Sequence, residues 1–511
     1  MKNIVKKLAV FFTAGALSVA GTGFAAPALA QEIGVETTPS AAENADTVNP
    51  TEDIELVINK RLGDPTEDGK IDGTTALEGI TFKIEKVNDV DLTTQNGWET
   101  AANLTADEAT DTTEIGEVVT NAQGTASMTT QGTPEFTVGL YKVTEVQKGN
   151  YTAAAPFLVA LPHSERGAWS YSRTVYPKNQ EIVPSKQVDD TDATIGSTLG
   201  YTINAPVPAG NLSHFAIRDP LASNLALVTE PIDVKAVGGQ GKTAPTLVEN
   251  DDYTVGTADN ELRVKFTESG RLKLQNARKD DAGLKVTVGF RATVKSVPES
   301  GTITNTATIE LPNNVEVDTD DGDRPTSTTF GDLTITKTTS NGDSSLDGAK
   351  FELYQCSARV NNEGEVEGYD LLGDALNMAS TKSDSPDTEL NDPVTEIETT
   401  GSANNDAGKP QATATGYAIP ISSFAAQTNS TNNKYCVLET AAPKGYVRNP
   451  EPQPVTIDGL KLTAKVDNQK DSILGQLPAT GAWGLLLIFL LGALLLARGI
   501  YTSYKDSRSA A

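Results

Sequence analysis

The sequence is poor in the residues most enzymes depend on. Of 511 residues, two are histidine and two are cysteine. With only His163 and His214, a histidine-rich metal centre is not expected, nor is any other metal site or cofactor. No Gly-x-Ser-x-Gly elbow and no phosphate-cradling glycine loop occurs, so an enzyme is the weakest of the function classes. Basic residues are also short, 41 Lys and Arg against 68 Asp and Glu, for a net charge of −27. The balance is more acidic still once the two basic ends are set aside. It argues against nucleic acid as a partner and suits a soluble, self-repelling surface protein. Long apolar helical patterns are missing except near the ends. Short runs of Thr, Val, Ile, Gly and Pro fill the middle and predict an all-β chain.

The ends read as addresses. Lys2, Lys6 and Lys7 precede the apolar run "LAVFFTAGALSVAG", and Ala28-Leu29-Ala30 fits a small-residue cleavage site. Residues 1–30 are therefore expected to be a secretory signal, with a retained anchor as the alternative. At the far end "LPATG" spans Leu477, Pro478, Ala479, Thr480 and Gly481. An apolar segment at 482–497 and a basic tail at 498–511 follow. At 1.5 Å per residue the apolar segment is about 24 Å long, short for a permanent span. Trp483, Tyr501 and Tyr504 suit interfacial positions, and the charges fit positive-inside orientation. Together these features resemble the cell-wall sorting signal of Gram-positive bacteria. That resemblance implies cleavage between Thr480 and Gly481 by a membrane sortase and attachment to peptidoglycan. A plain tail anchor is the alternative. On a secreted chain, the even pair Cys356 and Cys436 suggests one disulfide within a single domain, two buried free thiols being the other possibility.

Between the ends lies an internal repeat. "INKRLGD…ALEGITFKIEKV" (58–87) parallels "ITKTTSNGD…SLDGAKFELYQC" (335–356), with a Leu-x-Gly-x-x-Phe element at Leu77, Gly79, Phe82 and again at Leu346, Gly348, Phe351. "GLYKVTEVQKGNY" (139–151) parallels "NKYCVLETAAPKGY" (433–446), and each copy closes on an Asn-Gln pair. Two related β-sandwiches follow from this order, at 52–181 and 330–471, with a linker at 31–51. A third sandwich is expected at 182–329, and a linker with the sorting motif at 472–481. The acidic run Asp318–Asp323 lacks the spacing of a calcium loop and reads as a solvated link rather than a cation site.

Residues i, i+2 and i+4 of a strand share a face. Ile54, Leu56 and Ile58 are in phase with Lys60, Ile182 and Pro184 with Lys186, and Leu333 and Ile335 with Lys337. Late in each domain an asparagine takes such a position: Asn179, Asn305 and Asn468. An acid does so between them: Glu145, Asp219 and Glu439. Burial of an unpaired lysine is costly. Burial also lowers a lysine pKa and raises a carboxyl pKa. A neutral amine is a nucleophile and a neutral carboxyl can move protons, so the pattern predicts an intramolecular Lys–Asn isopeptide bond in each domain with release of ammonia. The alternatives are three hydrogen-bonded buried triads, or a coincidence of period.

This chain resembles the sortase-assembled major pilins of Gram-positive bacteria, of the corynebacterial Spa type. The resemblance implies three tandem immunoglobulin-like β-sandwiches, CnaB-like, CnaA-like and CnaB-like. It implies bonds Lys60–Asn179, Lys186–Asn305 and Lys337–Asn468, assisted by Glu145, Asp219 and Glu439. "WSYSRTVYPK" is similar to the family's pilin motif W-x-x-x-V-x-V-Y-P-K at Trp169, Val175, Tyr176, Pro177 and Lys178. Arg173 departs from it where the first Val is usual. If "TVYPKNQ" is extended, Val175, Pro177 and Asn179 face in while Tyr176 and Lys178 face out, and Pro177 marks an edge or strand end. The resemblance then implies that a sortase joins Thr480 to Lys178 of another identical subunit, head to tail, in a surface pilus that carries minor pilins and supports adhesion. The competing function is a ligand-binding adhesin, singly wall-anchored or at a fibre tip, which needs only the sorting signal.

Overall fold

Alternating burial along many of the strands shows how the period-two pattern is spent. The strand Glu55–Asn59 buries Leu56 and Ile58, and Lys461–Lys470 buries Leu462, Ala464, Val466 and Asn468. The structure is a computed structural model that describes residues 44–64, 74–165, 168–190, 193–320, 325–382, 393–422, 435–471 and 489–498. The expected signal at 1–30, the sorting motif at 477–481 and most of the apolar segment lie outside them. Residues 489–498 are helical and exposed, and no helix among the described residues is long and apolar enough to cross a membrane.

The fold is all-β, a series of facing sheets. In the N-terminal part, Glu55–Asn59 lies between Ser172–Val175, parallel, and Thr125–Thr129, antiparallel. Lys178–Asn179 continues this pairing beside Arg61–Leu62. A second sheet, in the order Thr112–Val119, Thr81–Val87, Gly139–Glu145, Phe157–Leu161, packs across a core that includes Leu56, Ile58, Phe82, Tyr141, Val143 and Val175. One helix, Gln95–Asn103, is capped by Thr94 Oγ1, which accepts from Gly97 N at 3.1 Å. It buries Trp98 against Trp169, with ring centroids 5.3 Å apart.

The middle part packs a four-stranded sheet (Ser185–Asp189, Thr198–Pro206, Lys285–Val294, Leu225–Val237) on a five-stranded one (Tyr253–Gly256, Glu261–Phe266, Ala216–Pro220, Thr308–Leu311, Val315–Asp318). Two glutamines join it to the N-terminal part. Gln180 pairs its side-chain amide with the backbone of Ala209 at 2.9 and 2.6 Å. Gln147 does the same with the backbone of Glu316 at 2.7 and 3.3 Å.

In the C-terminal part, Ser327–Thr339 runs parallel to Lys461–Lys470 and antiparallel to Pro410–Ser422. The facing sheet centres on Lys350–Val360 and Tyr435–Ala441. A single disulfide ties these last two strands, Cys356 to Cys436, with Cα atoms 5.8 Å apart. Ser327–Thr339 passes straight through residue 329, where the boundary between the middle and C-terminal sandwiches is expected. Its first three residues pair with Thr302–Thr304 before the rest joins the C-terminal sheet. Strand pairing carries this segment from the middle sandwich into the C-terminal one. Asp318 and Asp320 accept hydrogen bonds from Thr308 and Thr306 at 2.7 Å each, and residues 321–323 of that acidic run lie outside the described residues.

Candidate functional site: three buried Lys–acid–Asn triads and an acceptor strand

The outer sandwiches place their lysines and asparagines by the same register. Ile58 pairs with Val175 and Arg61 with Lys178, so Lys60 lies opposite Pro177 and Asn179 is two residues further on. Lys337 pairs with Val466, and Asn468 is again two residues further. Residues two apart on neighbouring parallel strands share a face, so both side chains enter the same core. The acid arrives from the facing sheet. Glu145 pairs with Phe82 and Glu439 with Phe351, the phenylalanines of the repeated Leu-x-Gly-x-x-Phe element. All six polar groups are buried.

The contacts differ between the triads. Lys60 Nζ is 2.6 Å from Glu145 Oε2 and 2.5 Å from Asn179 Oδ1, and Asn179 Nδ2 donates to Glu145 Oε1. In the middle part Lys186 Nζ is 2.5 Å from Asp219 Oδ2. With the Asn305 amide oriented to satisfy its neighbours, its nitrogen donates to Asp219 Oδ1 at 3.0 Å and its oxygen accepts from Lys186 at 2.7 Å. Here Thr326 ties the two segments, its hydroxyl donating to Lys186 O and its carbonyl accepting from Asn305 N. The C-terminal triad is looser. Lys337 Nζ donates to Val466 O at 2.9 Å and stands 3.9 Å from Glu439 Oε1. Asn468 Nδ2 donates to Glu439 Oε1 at 2.8 Å, while its Oδ1 is buried with no hydrogen-bond partner.

Burial shapes the electrostatics. It lowers the Lys60 pKa against the opposing pull of Glu145. It brings Lys186 down to about 8, opposed by Asp219 and Asp320, and Lys337 down to about 8, opposed by Glu439 and Asp467. The same desolvation raises Asp219 against Lys186 and Asn305. It raises Glu439 against the Asn449 backbone N–H and Lys337. Aromatic rings wall the amines: Phe82 lies 5.7 Å from Lys60 Nζ, and Tyr201 lies 4.9 Å from Lys186 Nζ. Such sites favour proton transfer from ammonium to carboxylate, leaving a nucleophilic amine beside an amide carbon.

The pilin-motif residues are distributed along one edge. Val175, Pro177 and Asn179 are buried, Tyr176 is exposed, and Lys178 is half-buried because its strand pairs with Arg61–Leu62. Trp169 Nε1 donates to Thr47 Oγ1 at 2.8 Å and stacks on Trp98, so residues 45–47 and the helix brace the start of the motif. Arg173, the departure from the motif, is half-buried opposite Leu56. Thr480 lies outside the described residues. The backbone N–H groups of Ala154 and Asn449 and the bridging role of Thr326 carry no sequence signal of their own. The repeated Asn-Gln pair marks only where the first two act.

Comparison with known proteins supplies the family. Residues 51–180 match the family described as Gram-positive pilin subunit D1, N-terminal domain, and residues 331–470 match the SpaA prealbumin-like fold domain. The chain is a Gram-positive pilin subunit. This pilin is 29% identical to "Fimbrial subunit type 1" of Actinomyces viscosus, over 98% of this chain and 96% of that protein. It is similar to the solved full-length major pilin SpaD of Corynebacterium diphtheriae, with 26% identity, a TM-score of 0.54, and coverage of 83% of this chain and 99% of that one. The Corynebacterium diphtheriae major pilin SpaA shares the fold, with 22% identity, a TM-score of 0.57, and coverage of 82% and 100%.

Proposed function

We propose that this pilin is the repeating shaft subunit of a covalent pilus, with Thr480 of one subunit joined to Lys178 of the next. A sortase cysteine attacks the Thr480 carbonyl, Gly481 leaves with the membrane segment and tail, and the Lys178 amine of another subunit resolves the thioester to an amide. The contact is heterologous and does not close on itself, so it propagates as an open filament. Sortase, minor pilins and peptidoglycan are the partners of this reading, and the wall-anchored cell surface is its location. The observation that carries it is the alternation at Lys178–Asn179, where one side chain is half-buried at an edge and its neighbour is sealed in the core.

Inside each subunit, the neutral lysine amine attacks the asparagine Cγ. The acid takes the proton from the attacking nitrogen and returns one to Nδ2, the C–Nδ2 bond breaks, and ammonia departs. Lys60–Asn179, Lys186–Asn305 and Lys337–Asn468 are the bonds, and Glu145, Asp219 and Glu439 the acids. In the outer sandwiches the cross-link joins the first and last strands, so tension passes through covalent bonds rather than sheet hydrogen bonds.

Two measurements test the reading. Lys178→Ala should abolish the high-mass ladder of wall extracts on denaturing gels, leaving a wall-linked monomer. A persistent ladder moves the acceptor to another lysine, and a wild-type chain found only as monomer favours the singly anchored adhesin. Intact mass of the secreted ectodomain should fall by one ammonia per internal bond and two hydrogens for the disulfide. A mass equal to that of the unmodified sequence rejects the internal chemistry.

A further inference from the structure

Each outer acid has a fourth neighbour besides its lysine, its asparagine and the phenylalanine across the sheet. Glu145 Oε2 accepts a hydrogen bond from the backbone N–H of Ala154 at 3.1 Å. Glu439 Oε2 accepts one from the backbone N–H of Asn449 at 2.6 Å. The same local construction delivers both. Thr152 N donates to Gln180 O, and the Thr152 hydroxyl accepts from Gln180 N, one residue past Asn179. Val447 pairs with Gln469, one residue past Asn468. In each case the N–H that reaches the acid belongs to the residue two further along, Ala154 or Asn449. The segment that crosses behind the asparagine thus carries a donor onto the acid. Asp219 of the middle part takes its contacts from Lys186 and Asn305, with no backbone donor among its described hydrogen bonds.

We propose that the backbone N–H groups of Ala154 and Asn449 are positioning groups for isopeptide formation, fixing which carboxyl oxygen faces the departing nitrogen. This rests on the bond-forming reading above. A carboxyl group swivels about its last torsion, and in a core lined by Phe82 or Phe351 the other donors on it are the reacting groups themselves, Lys60 and Asn179 at Glu145 and Asn468 at Glu439. An N–H on Oε2 occupies a lone pair there and sets the plane of the group. Oε1 then faces Nδ2 of Asn179 or Asn468, as both triads have it. The acidic proton belongs on Oε1, where the leaving ammonia requires it. At Glu145 the proton from attacking Lys60 is received at Oε2 while Oε1 delivers to Nδ2, so the carboxyl ends as protonated as it began and one ammonia is released. At Glu439 the donor also opposes desolvation by favouring the charged form, so that a carboxylate is present to accept from the amine.

The test removes one hydrogen-bond donor and leaves the side chains in place. The full chain is synthesised in a cell-free system with the α-hydroxy analogue of alanine at position 154, which turns that amide into an ester. The same replacement at Ala153 is the control for the ester itself, and the α-hydroxy analogue of asparagine at position 449 removes the C-terminal donor. Ammonia loss is followed over time by mass of the cross-linked peptides across a range of pH. The middle Lys186–Asn305 bond reports on folding within the same molecule. The expected result is a roughly tenfold slower bond, confined to the altered sandwich, with its pH profile displaced upward, while the control and the middle bond keep their rates. Wild-type rate and profile in both altered chains overturn the proposal while leaving the bond-forming reading intact. A wild-type chain that never loses ammonia overturns both.

Discussion

The N-terminal and C-terminal triads share register, the phenylalanine opposite the acid, and a backbone donor on Oε2, yet only one is drawn together. Lys60 touches both Asn179 and Glu145, whereas Lys337 is turned to the Val466 carbonyl and leaves the Asn468 oxygen without a partner. Equal register brings the reactants onto one face. The last ångström depends on which nearby acceptor holds the amine. In the C-terminal sandwich the strand's own carbonyl competes, and that 2.9 Å hydrogen bond must break before attack. Reacting atoms need to approach within about 3–3.5 Å, so a small displacement is a large kinetic handicap.

The comparison can be broken most severely at the acids. Glu145→Gln and Glu439→Gln should each slow their own bond by about 10²–10⁴, because the amide cannot relay a proton. Peptide mass mapping reads this domain by domain, and a bond that still forms at the wild-type rate removes the acid from the mechanism. The difference in contacts gives the next effect. In newly made chains the Lys60–Asn179 bond should appear first, ahead of Lys337–Asn468 by about tenfold or more. The reverse order would show that the Val466 contact does not limit the reaction.

Acidity sharpens the contrast further. The Lys337 amine is held to about 8 by burial, so its neutral fraction rises with pH up to that value and then levels off. The C-terminal rate should climb about tenfold per pH unit below 8 and flatten above it. In Asn468→Ala, which cannot cross-link, the same lowered pKa has a consequence for stability. Between pH 8 and 10.5 the unfolded chain binds the proton that the folded chain has lost. That variant should therefore gain stability as pH rises through this window, measured by denaturant unfolding.

The smallest difference is expected in stability itself. Lys60 and Asn179 are 119 residues apart, close to the separation of the C-terminal pair. Asn179→Ala and Asn468→Ala should each cost about 4–5 kcal/mol, by analogy with disulfides closing long loops. Equal losses alongside unequal rates would separate what the bond does once made from what governs its making. Cys356→Ser with Cys436→Ser, opening a loop of separation 80, should cost about 4 kcal/mol and leave the N-terminal sandwich unchanged.

Much of this molecule was legible as local pattern. Alternation placed Lys60, Lys186 and Lys337 on apolar faces, and the structure buries all three. The same period turned Asn179 inward beside Lys178. The repeat from Leu77 to Phe82 and from Leu346 to Phe351 marked two sandwiches of one kind, without revealing that each phenylalanine lies across from the acid. The sequence around Ser327 gives no sign that its strand pairs with Thr302–Thr304 before it enters the C-terminal sheet.

The side a residue faces is set by its own backbone, so the sequence by itself determined the all-β character, the inward lysines, acids and asparagines, and the alternation of Lys178 with Asn179. Which atom each of those groups meets depends on partners in other segments, from 9 to 129 residues away. Only the tertiary structure decided that Lys60 reaches its asparagine, that Lys337 is held by Val466, and that Ala154 and Asn449 lend their N–H groups to the acids. The reason is that strand register and backbone hydrogen bonding are properties of pairs of segments, and a period of two carries no information about the second member of the pair.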